Sequence, residues 1–170
     1  MRLVRNAVVG IFAVIGVIAS VHQLAGQGAS PLNGLTPTHV GIIVQDIEKS
    51  AQTFHDVFGV TVPPASLSGP ISWPENPAGP VQWSVKLTTF KLGSLTVELV
   101  EPVNGPGPHR AFLNKFGQGL HHVAFAVPDR QSAFAFLRGK GGTQVSSTYV
   151  DLKDLLGFTV EIAPAARVAQ

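Results

Sequence analysis

Apolar and polar residues are arranged along this chain in a pattern that predicts short strands and two helices. Residues 38–44 are apolar and β-branched between turn-type residues, which indicates a buried strand. Asp46 then stands where a helix N-cap is expected, and apolar residues recur at helical spacing over 47–58. Two further strands are predicted at 81–90 and 94–100. The first half therefore reads as a strand, a helix and two more strands.

The second half repeats this order with one more strand. A short helical turn at 111–116 leads into a predicted strand at 120–127. Asp129 is a second candidate N-cap, and 132–137 a second helix. Three more strands are predicted at 144–147, 149–152 and 159–163. Two βαβββ units of this kind would share one core and one concave cleft.

The segment 63–80 interrupts the pattern because it is dense in Pro, Gly and Ser. This composition predicts an unusually long loop, which could cover a site. Trp73 and Trp83 are expected to pack against other residues, although Trp73 in such a loop is also placed to wall off a substrate. Glu75 is expected to be solvated. The alternative interpretation is that it acts as a catalytic base.

Two polar residue types recur inside the apolar strands, at matching positions of the two halves. His39 opens the segment HVGIIVQD and His122 opens HVAFAVPD, whereas Glu98 lies in TVEL and Glu161 in TVEI. Small residues share a strand face with each histidine, which leaves room beside its ring. A duplication that preserved only a fold would keep apolar and turn positions. The retained His and Glu therefore indicate a shared site.

These four side chains offer the donors that a divalent metal ion uses. A buried carboxylate without a partner is costly, and one cation offsets two such groups at once. Imidazole nitrogen and carboxylate oxygen suit zinc, nickel, cobalt, manganese or iron(II), and the donors alone do not choose among them. Four protein ligands on an octahedral ion leave two positions for water or substrate oxygens, as Lewis-acid catalysis requires. The prediction is one divalent ion held by His39, Glu98, His122 and Glu161.

The other histidines are assigned no chemistry. His121 alternates with His122 along a strand, so its side chain is expected to point to the opposite face and to be structural. His109 lies in a Pro/Gly linker and His55 on a helix, and both are expected at the surface. His22 falls in the N-terminal segment.

Residues 1–30 read as a targeting segment. Arg2 and Arg5 form a basic start, and an apolar or small run follows at 7–21. That run is shorter than the ~20 residues of a typical membrane span, which favours a signal peptide. Ala25 and Ala29 do not complete an Ala-x-Ala cleavage site, so an uncleaved N-terminal membrane anchor is the alternative. Either interpretation predicts a protein that is exported, periplasmic or extracellular, or anchored to the outer side of the membrane.

Composition limits the partners. Apolar residues make up 45% of the 170 residues and charged residues 13%, which is typical of a globular protein. Residues 1–30 hold two of the 12 basic residues and no acidic one, which leaves 10 basic against 10 acidic residues. A neutral remainder without a basic stripe argues against nucleic-acid binding. The chain has no cysteine, so disulfides, thiolate nucleophiles and Cys-type zinc sites are excluded.

Several motifs in this chain resemble the vicinal oxygen chelate superfamily, the group of glyoxalase I, methylmalonyl-CoA epimerase, extradiol dioxygenases and bleomycin or fosfomycin resistance proteins. The similarity covers residues 36–163. The segments most similar to epimerases are LGSLTVELVEP at 92–102, AFLNK at 111–115 and GLHHVAF at 119–125. The segment YVDLKDLLGFTVE at 149–161 is more similar to the glyoxalase-type ending.

The resemblance implies an α+β fold. Paired βαβββ modules, at about 36–103 and 119–163, are expected to form a curled mixed sheet with a cleft, within a single domain at 36–163. In such proteins the opening His and the closing carboxylate or amide of each half hold the metal, which again implies His39, Glu98, His122 and Glu161. The metal-bound Glu161 is implied as a catalytic base. Epimerases take a second base from their first half, and Glu75 is the candidate for it.

The function implied is that of a metal-dependent lyase or isomerase of the glyoxalase or epimerase type, which chelates substrate oxygens and moves a proton through an enediolate-like intermediate. The alternatives are a non-catalytic, resistance-type binding protein on the same fold and a structural domain without metal. A small-molecule substrate and a homodimer are expected, with a membrane tether if the N-terminus is an anchor. Because coenzyme A and glutathione adducts are chiefly cytoplasmic, an exported protein favours another oxygen-chelating molecule.

Overall fold

The computed structural model of this protein describes residues 29–74 and 76–165. The elements follow one another in the order strand, helix and three strands, a connecting helix, and then the same order again with a short extra helix. Their bounds are β1 His39–Ile43, α1 Ile47–Phe58, β2 Ser66–Trp73, β3 Val81–Leu92, β4 Leu95–Asn104, α2 Pro108–Phe116, β5 Gly119–Val127, α3 Arg130–Gly139, β6 Thr143–Gln144, β7 Tyr149–Asp151, α4 Lys153–Leu156 and β8 Thr159–Pro164.

The eight strands form one curled mixed sheet in the order β2-β3-β4-β1-β5-β8-β7-β6. The order is symmetric about the centre, where β1 and β5 pair in antiparallel fashion. On either side of this pair, β1 runs parallel to β4 and β5 runs parallel to β8. The α+β class and the paired βαβββ units expected from the sequence are therefore present in the structure.

The prediction that 63–80 forms one long loop is wrong, because this segment contains strand β2. Ser66 pairs with Leu87 of β3 and Trp73 pairs with Val81, with a register shift between Ser68 and Ile71. The sequence hid this strand because Ser, Gly and Pro carry little strand propensity. Proline is tolerated here because β2 lies at the edge of the sheet, where fewer backbone N–H groups need a partner.

Helices α1 and α3 cover the outer face of the sheet. Each begins at a predicted N-cap: Asp46 accepts a hydrogen bond from the backbone N–H of Lys49 at 2.9 Å, and Asp129 accepts one from Ser132 at 3.1 Å. Gly59 ends α1 in the left-handed conformation, with φ 66°. The apolar core beneath α1 consists of Val44, Ile47, Phe90, Val97 and Leu99.

Helix α2 lies on the inner face instead. Phe112 and Leu113 pack against a buried apolar cluster that includes Ile43, Trp83 and Val100. Helix α2 therefore covers one end of the inner face and leaves the rest of that face accessible. Trp73 belongs to the same cluster and is 9% exposed, so it packs against other residues as expected.

The targeting segment predicted at 1–30 falls almost entirely outside the described residues, which begin at 29. Within the described part of the chain, no helix is both long and apolar enough to span a bilayer. The signal-peptide and anchor interpretations both stay predictions.

Candidate metal centre

The four predicted ligands come from the four central strands of the sheet. Glu98 lies on β4, His39 on β1, His122 on β5 and Glu161 on β8, and these strands are neighbours in that order. The register brings the side chains together, because Gly41 of β1 pairs with both Glu98 and His122. Each half of the chain thus contributes one histidine and one glutamate to one place on the inner face.

The donor atoms of the four residues converge. His39 Nε2 lies 3.1 Å from Glu161 Oε2 and 3.6 Å from Glu98 Oε2. His122 Nε2 lies 3.3 Å from Glu161 Oε2, 3.5 Å from Glu98 Oε2 and 3.3 Å from His39 Nε2. One donor atom from each residue falls within 4.8 Å of all the others.

These separations fit a bound ion. Ligand atoms held roughly 2.0–2.2 Å from one ion lie about 3.0 Å apart at neighbouring positions of an octahedron and about 4.2 Å apart at opposite positions, and the observed distances fall between these values. The closeness of the two imidazole Nε2 atoms is informative, because two ring nitrogens that both carried protons would repel each other. A single cation satisfies both nitrogens and both carboxylates. The residues present therefore suit one divalent metal ion.

Gly41 creates the space that His122 occupies. A Cβ atom at this position would lie 1.9 Å from Cε1 and 2.2 Å from Nε2 of the His122 ring. The small residues were expected to leave room beside the histidine of their own strand, whereas Gly41 of β1 makes room for the ring of His122 on the neighbouring strand β5. No side chain larger than hydrogen fits while the ring stays where it is.

Burial and charge shift the protonation of the site. The side chain of His122 is 0% exposed, and this burial lowers its pKa, but hydrogen bonds to Glu161 and Glu98 outweigh the effect and raise the pKa to about 9. For Glu161, burial raises the pKa, whereas hydrogen bonds to His122 and His39 hold it well below its usual range. The protein without metal therefore carries an imidazolium–carboxylate pair at its centre.

The expectation that His121 points away from His122 is wrong. The pairing of β1 with β5 shifts register between Gly41 and Ile42, so that β5 carries one extra residue at this point. His121 is 2% exposed, and its Nδ1 lies 3.0 Å from Nδ1 of His122. A metal on Nε2 of His122 requires the proton to sit on Nδ1, so His121 Nδ1 then accepts this hydrogen bond and orients the ligand ring.

The expectation that His109 lies at the surface is also wrong. His109 sits in the first turn of α2, is 3% exposed, and places Nε2 3.2 Å from the hydroxyl of Tyr149. Burial, together with the charge of His122, lowers its pKa to about 3. The surrounding Pro and Gly led to the prediction of an exposed linker. The helical spacing of His109, Phe112 and Leu113 indicates one buried helix face, and this spacing could have corrected the prediction.

The remaining candidates lie away from the cluster or outside the described residues. His55 is exposed on α1, as expected, and its Nδ1 lies 3.1 Å from the carbonyl oxygen of Val60. Glu75 and His22 lie outside the described residues, so the role predicted for Glu75 stays a prediction.

Two cavities meet the cluster. The larger, about 640 Å³, is lined by His39, Glu98 and Glu161 together with other residues that include Lys91. The smaller, about 170 Å³, is lined by the same two glutamates, by five apolar side chains of β2, β3 and β4, and by the polar residues Ser68, His109, Thr148 and Tyr149. The candidate ligands thus border both a cavity that contains a lysine and one that, among the described residues, contains no cationic side chain, which the sequence did not indicate.

Comparison with known proteins supports the relationship suggested by the motifs. A family model described as the glyoxalase/bleomycin resistance protein/dioxygenase superfamily matches residues 38–159. The mitochondrial methylmalonyl-CoA epimerase of Mus musculus is 32% identical over 129 residues, which are 74% of this chain and 65% of that protein. The uncharacterized protein YqjC of Bacillus subtilis is 31% identical over 87 residues, 51% of this chain and 54% of that protein. The chain therefore spans less than two thirds of these relatives.

Solved structures share the fold. A methylmalonyl-CoA epimerase from Mycobacterium tuberculosis superimposes with a TM-score of 0.52 at 22% identity, covering 79% of this chain and 92% of that one. A methylmalonyl-CoA epimerase in complex with methylmalonyl-CoA and NH4+ gives a TM-score of 0.54 at 21% identity, covering 79% and 96%. The matched segment contains three of the four candidate ligands and nearly the whole sheet. The chain belongs to the glyoxalase/bleomycin resistance protein/dioxygenase superfamily.

Proposed function

We propose that this protein is a divalent-metal-dependent enzyme of the isomerase type, which moves a proton at a carbon next to a carbonyl group of a small molecule. The convergence of His39, Glu98, His122 and Glu161 on one point is the observation that carries this proposal. The methylmalonyl-CoA epimerases among the relatives support an isomerase rather than a lyase. A glyoxalase-type lyase would begin with the same removal of a proton from carbon.

The residues of the site divide the work between them. His39, Glu98 and His122, together with Glu161, would hold the ion, which would supply Lewis-acid stabilisation of negative charge on the substrate oxygens. The carboxylate of Glu161 accepts the proton as the electron pair of the C–H bond moves toward the carbonyl group, and it then returns the proton to carbon. In the protein without metal, burial raises the pKa of Glu161 but hydrogen bonds to His122 and His39 outweigh it, so this carboxylate is ionised at neutral pH.

Inversion at carbon needs proton delivery from the opposite side of the substrate. We propose Glu75 for this second role, as the resemblance to epimerases implies. Exchange measurements on a Glu75→Gln variant separate the two bases, since loss of inversion with retained exchange is the result expected when only the second base is removed. Loss of neither activity would contradict the role of Glu75.

Metal content and proton exchange test the proposed function together. The purified protein is prepared without chelator, and its metal stoichiometry is measured by elemental analysis. Incorporation of deuterium from D2O into candidate carbonyl substrates, methylmalonyl-CoA among them, is followed by NMR. We expect about one divalent ion per chain and metal-dependent exchange, both lost in His122→Ala, whereas Glu161→Gln loses exchange.

The matched control is His55→Ala, because His55 is exposed and distant from the cluster. It should keep both the ion and the exchange. Failure of the wild-type protein to take up any divalent ion on titration would overturn the proposal. Stoichiometric metal with tight ligand binding but no exchange would instead assign the protein to the binding members of the fold.

We also propose that residues 1–30 direct the protein out of the cytoplasm, as a signal peptide or as an anchor. Fractionation of cells expressing the full chain, with mass spectrometry of its N-terminus, tests this assignment. A shortened chain in the soluble exported fraction supports a signal peptide, and a full-length chain in the membrane supports an anchor. Full-length protein in the cytoplasm would contradict both.

The homodimer expected from the resemblance stays a prediction.

A further inference from the structure

The smaller cavity beside the candidate metal centre has walls of a distinct character. Ile71, Trp83, Val85, Leu87 and Val100 supply apolar surface from β2, β3 and β4, and the rest of the wall carries uncharged polar groups of Ser68, His109, Thr148 and Tyr149. Glu98 and Glu161 stand where this cavity meets the ligand cluster. A group that lodges among the apolar side chains is therefore held next to the oxygens of a chelated substrate.

The charge around this cavity selects for a neutral group. Among the described residues that line it, the two glutamates carry charge and no lysine or arginine is present. With the proposed ion bound, Glu98 and Glu161 already offset its two positive charges, so a carboxylate or phosphate buried here would find no further cation, which is unfavourable. Anionic or strongly polar parts of a ligand belong instead in the larger cavity, which Lys91 lines.

The size of the cavity limits the length of the group. Its volume is about 170 Å³. An apolar cavity of about 150 Å³ is large enough to admit benzene. The space beside the cluster therefore accommodates an alkyl or aryl group of up to about six carbons, and a longer chain would collide with its walls.

We propose that this cavity is a specificity subsite, and that the substrate bears an uncharged alkyl or aryl group of up to about six carbons next to its two metal-chelating oxygens. This inference rests on the metal-dependent function proposed above and names the substrate class for the same site. The remainder of the substrate extends into the larger cavity.

Alkyl hydroxamates test the subsite, because they chelate divalent ions through two adjacent oxygens and differ only in their apolar group. The metal-loaded full chain is titrated by calorimetry with the series from acetohydroxamate to octanohydroxamate, and with benzohydroxamate. We expect affinity to rise up to about fourfold per added methylene, the change that corresponds to about 0.8 kcal/mol for each buried group. The rise should stop near six carbons, and benzohydroxamate should bind tightly.

Substitutions in the cavity wall test the contribution of the subsite to affinity separately from that of the metal. Leu87→Trp fills the cavity, so it should remove the dependence on chain length and leave the affinity for acetohydroxamate within about twofold of wild type. Leu67→Trp is the matched control, because Leu67 is 68% exposed on the neighbouring strand and does not line the cavity. Ile71→Ala enlarges the cavity and should move the plateau to longer chains, which keeps the test intact if Leu87→Trp does not fold.

The outcomes distinguish the two levels of the proposal. Hydroxamates that all bind equally well, whatever their chain length, would overturn the subsite and leave the metal-dependent function standing. A protein that takes up no metal and binds no hydroxamate would overturn both. A third outcome is an affinity that keeps rising with chain length up to octanohydroxamate, with the same rise in Leu87→Trp. That result would place the apolar group outside this cavity and so contradict the inference.

Discussion

At the scale of single residues, the site depends as much on what surrounds the ligands as on the ligands themselves. Gly41 leaves room for the ring of His122, and His121 contacts that ring from behind. Val97 and Leu99, at 1% and 0% exposure, flank Glu98 on the opposite face of β4 and fix its direction. The geometry of the cluster therefore depends on residues that are not themselves candidate ligands.

Gly41→Ala is expected to weaken metal binding at least tenfold, because its Cβ would overlap the His122 ring and displace a ligand atom. The overpacking should also cost about 1–3 kcal/mol of unfolding free energy. Calorimetric metal titration and urea denaturation measure the two effects. Gly119→Ala is the control, since a Cβ there meets nothing within 4 Å. Wild-type metal affinity in Gly41→Ala would show that the ring has another stable position.

Metal binding should release a proton from His122. The pKa of His122 is raised to about 9, so below that pH the ring is protonated and the proton competes with the ion for Nε2. Apparent affinity should therefore rise close to tenfold per pH unit between about pH 7 and 9, and then level off. Calorimetry in buffers of different ionisation enthalpy counts the protons released. A metal affinity that stays unchanged across this pH range would refute the assignment of His122 as a ligand.

At the scale of elements, the two halves use the same devices to position the strands that carry the ligands. Each first strand runs directly into a helix that begins at an aspartate N-cap, Asp46 or Asp129. The helices pack on the outer face, and α2 closes one end of the inner face. His39 and His122 are thus placed by ordinary strand–helix units, and the chemistry is added on the face that α1 and α3 do not cover.

Asp46→Ala should destabilise the protein by about 1 kcal/mol, because the backbone N–H of Lys49 loses its acceptor at the start of α1. For a chain of this size the melting temperature should fall by roughly 2–4 °C. Metal affinity should stay at the wild-type value, since the cap lies outside the cluster. Thermal denaturation checks the change, with Asp56→Ala, an exposed position near the end of α1, as the control expected to stay within about 0.5 kcal/mol. Equal melting temperatures for both variants would argue against the cap.

At the scale of the whole molecule, the candidate metal centre joins the two halves of the chain. His39 and Glu98 come from the first half, His122 and Glu161 from the second, and the strands that carry them are the four in the middle of the sheet. An ion bound there cross-links residues that are up to 122 positions apart in sequence. Folding and metal binding should therefore be coupled.

Metal should stabilise the folded protein by an amount set by its concentration. At a free-ion concentration of about 100 times Kd, the unfolding free energy should rise by about 2.7 kcal/mol, because the unfolded chain does not present the four ligands together. Denaturation in EDTA and in excess metal measures the difference. Glu98→Gln should lose most of it, whereas Glu48→Gln, at an exposed position on α1, should keep it. Equal stabilisation of both variants would indicate ion binding elsewhere.

Sequence reasoning anticipated the repeated units, both N-caps and the four residues of the cluster, because each of these leaves a periodic or repeated trace along the chain. It missed β2, whose Ser, Gly and Pro hide a strand that only pairing with β3 stabilises. It also misplaced His121 and His109. Those two errors share a cause, since a register shift in β5 and the docking of α2 depend on neighbours distant in sequence.

By itself, the sequence determined which residue types stand at matched places in two halves, and hence that a two-His, two-Glu site was to be expected. Strand alternation and helix periodicity are local, so these features can be read without knowledge of the fold. Only the tertiary structure decided that the donor atoms converge, that Gly41 must be glycine, and that a cavity lined in part by apolar side chains lies beside the cluster. These properties arise from strand pairing and packing across the whole sheet, where each distance depends on residues from both halves.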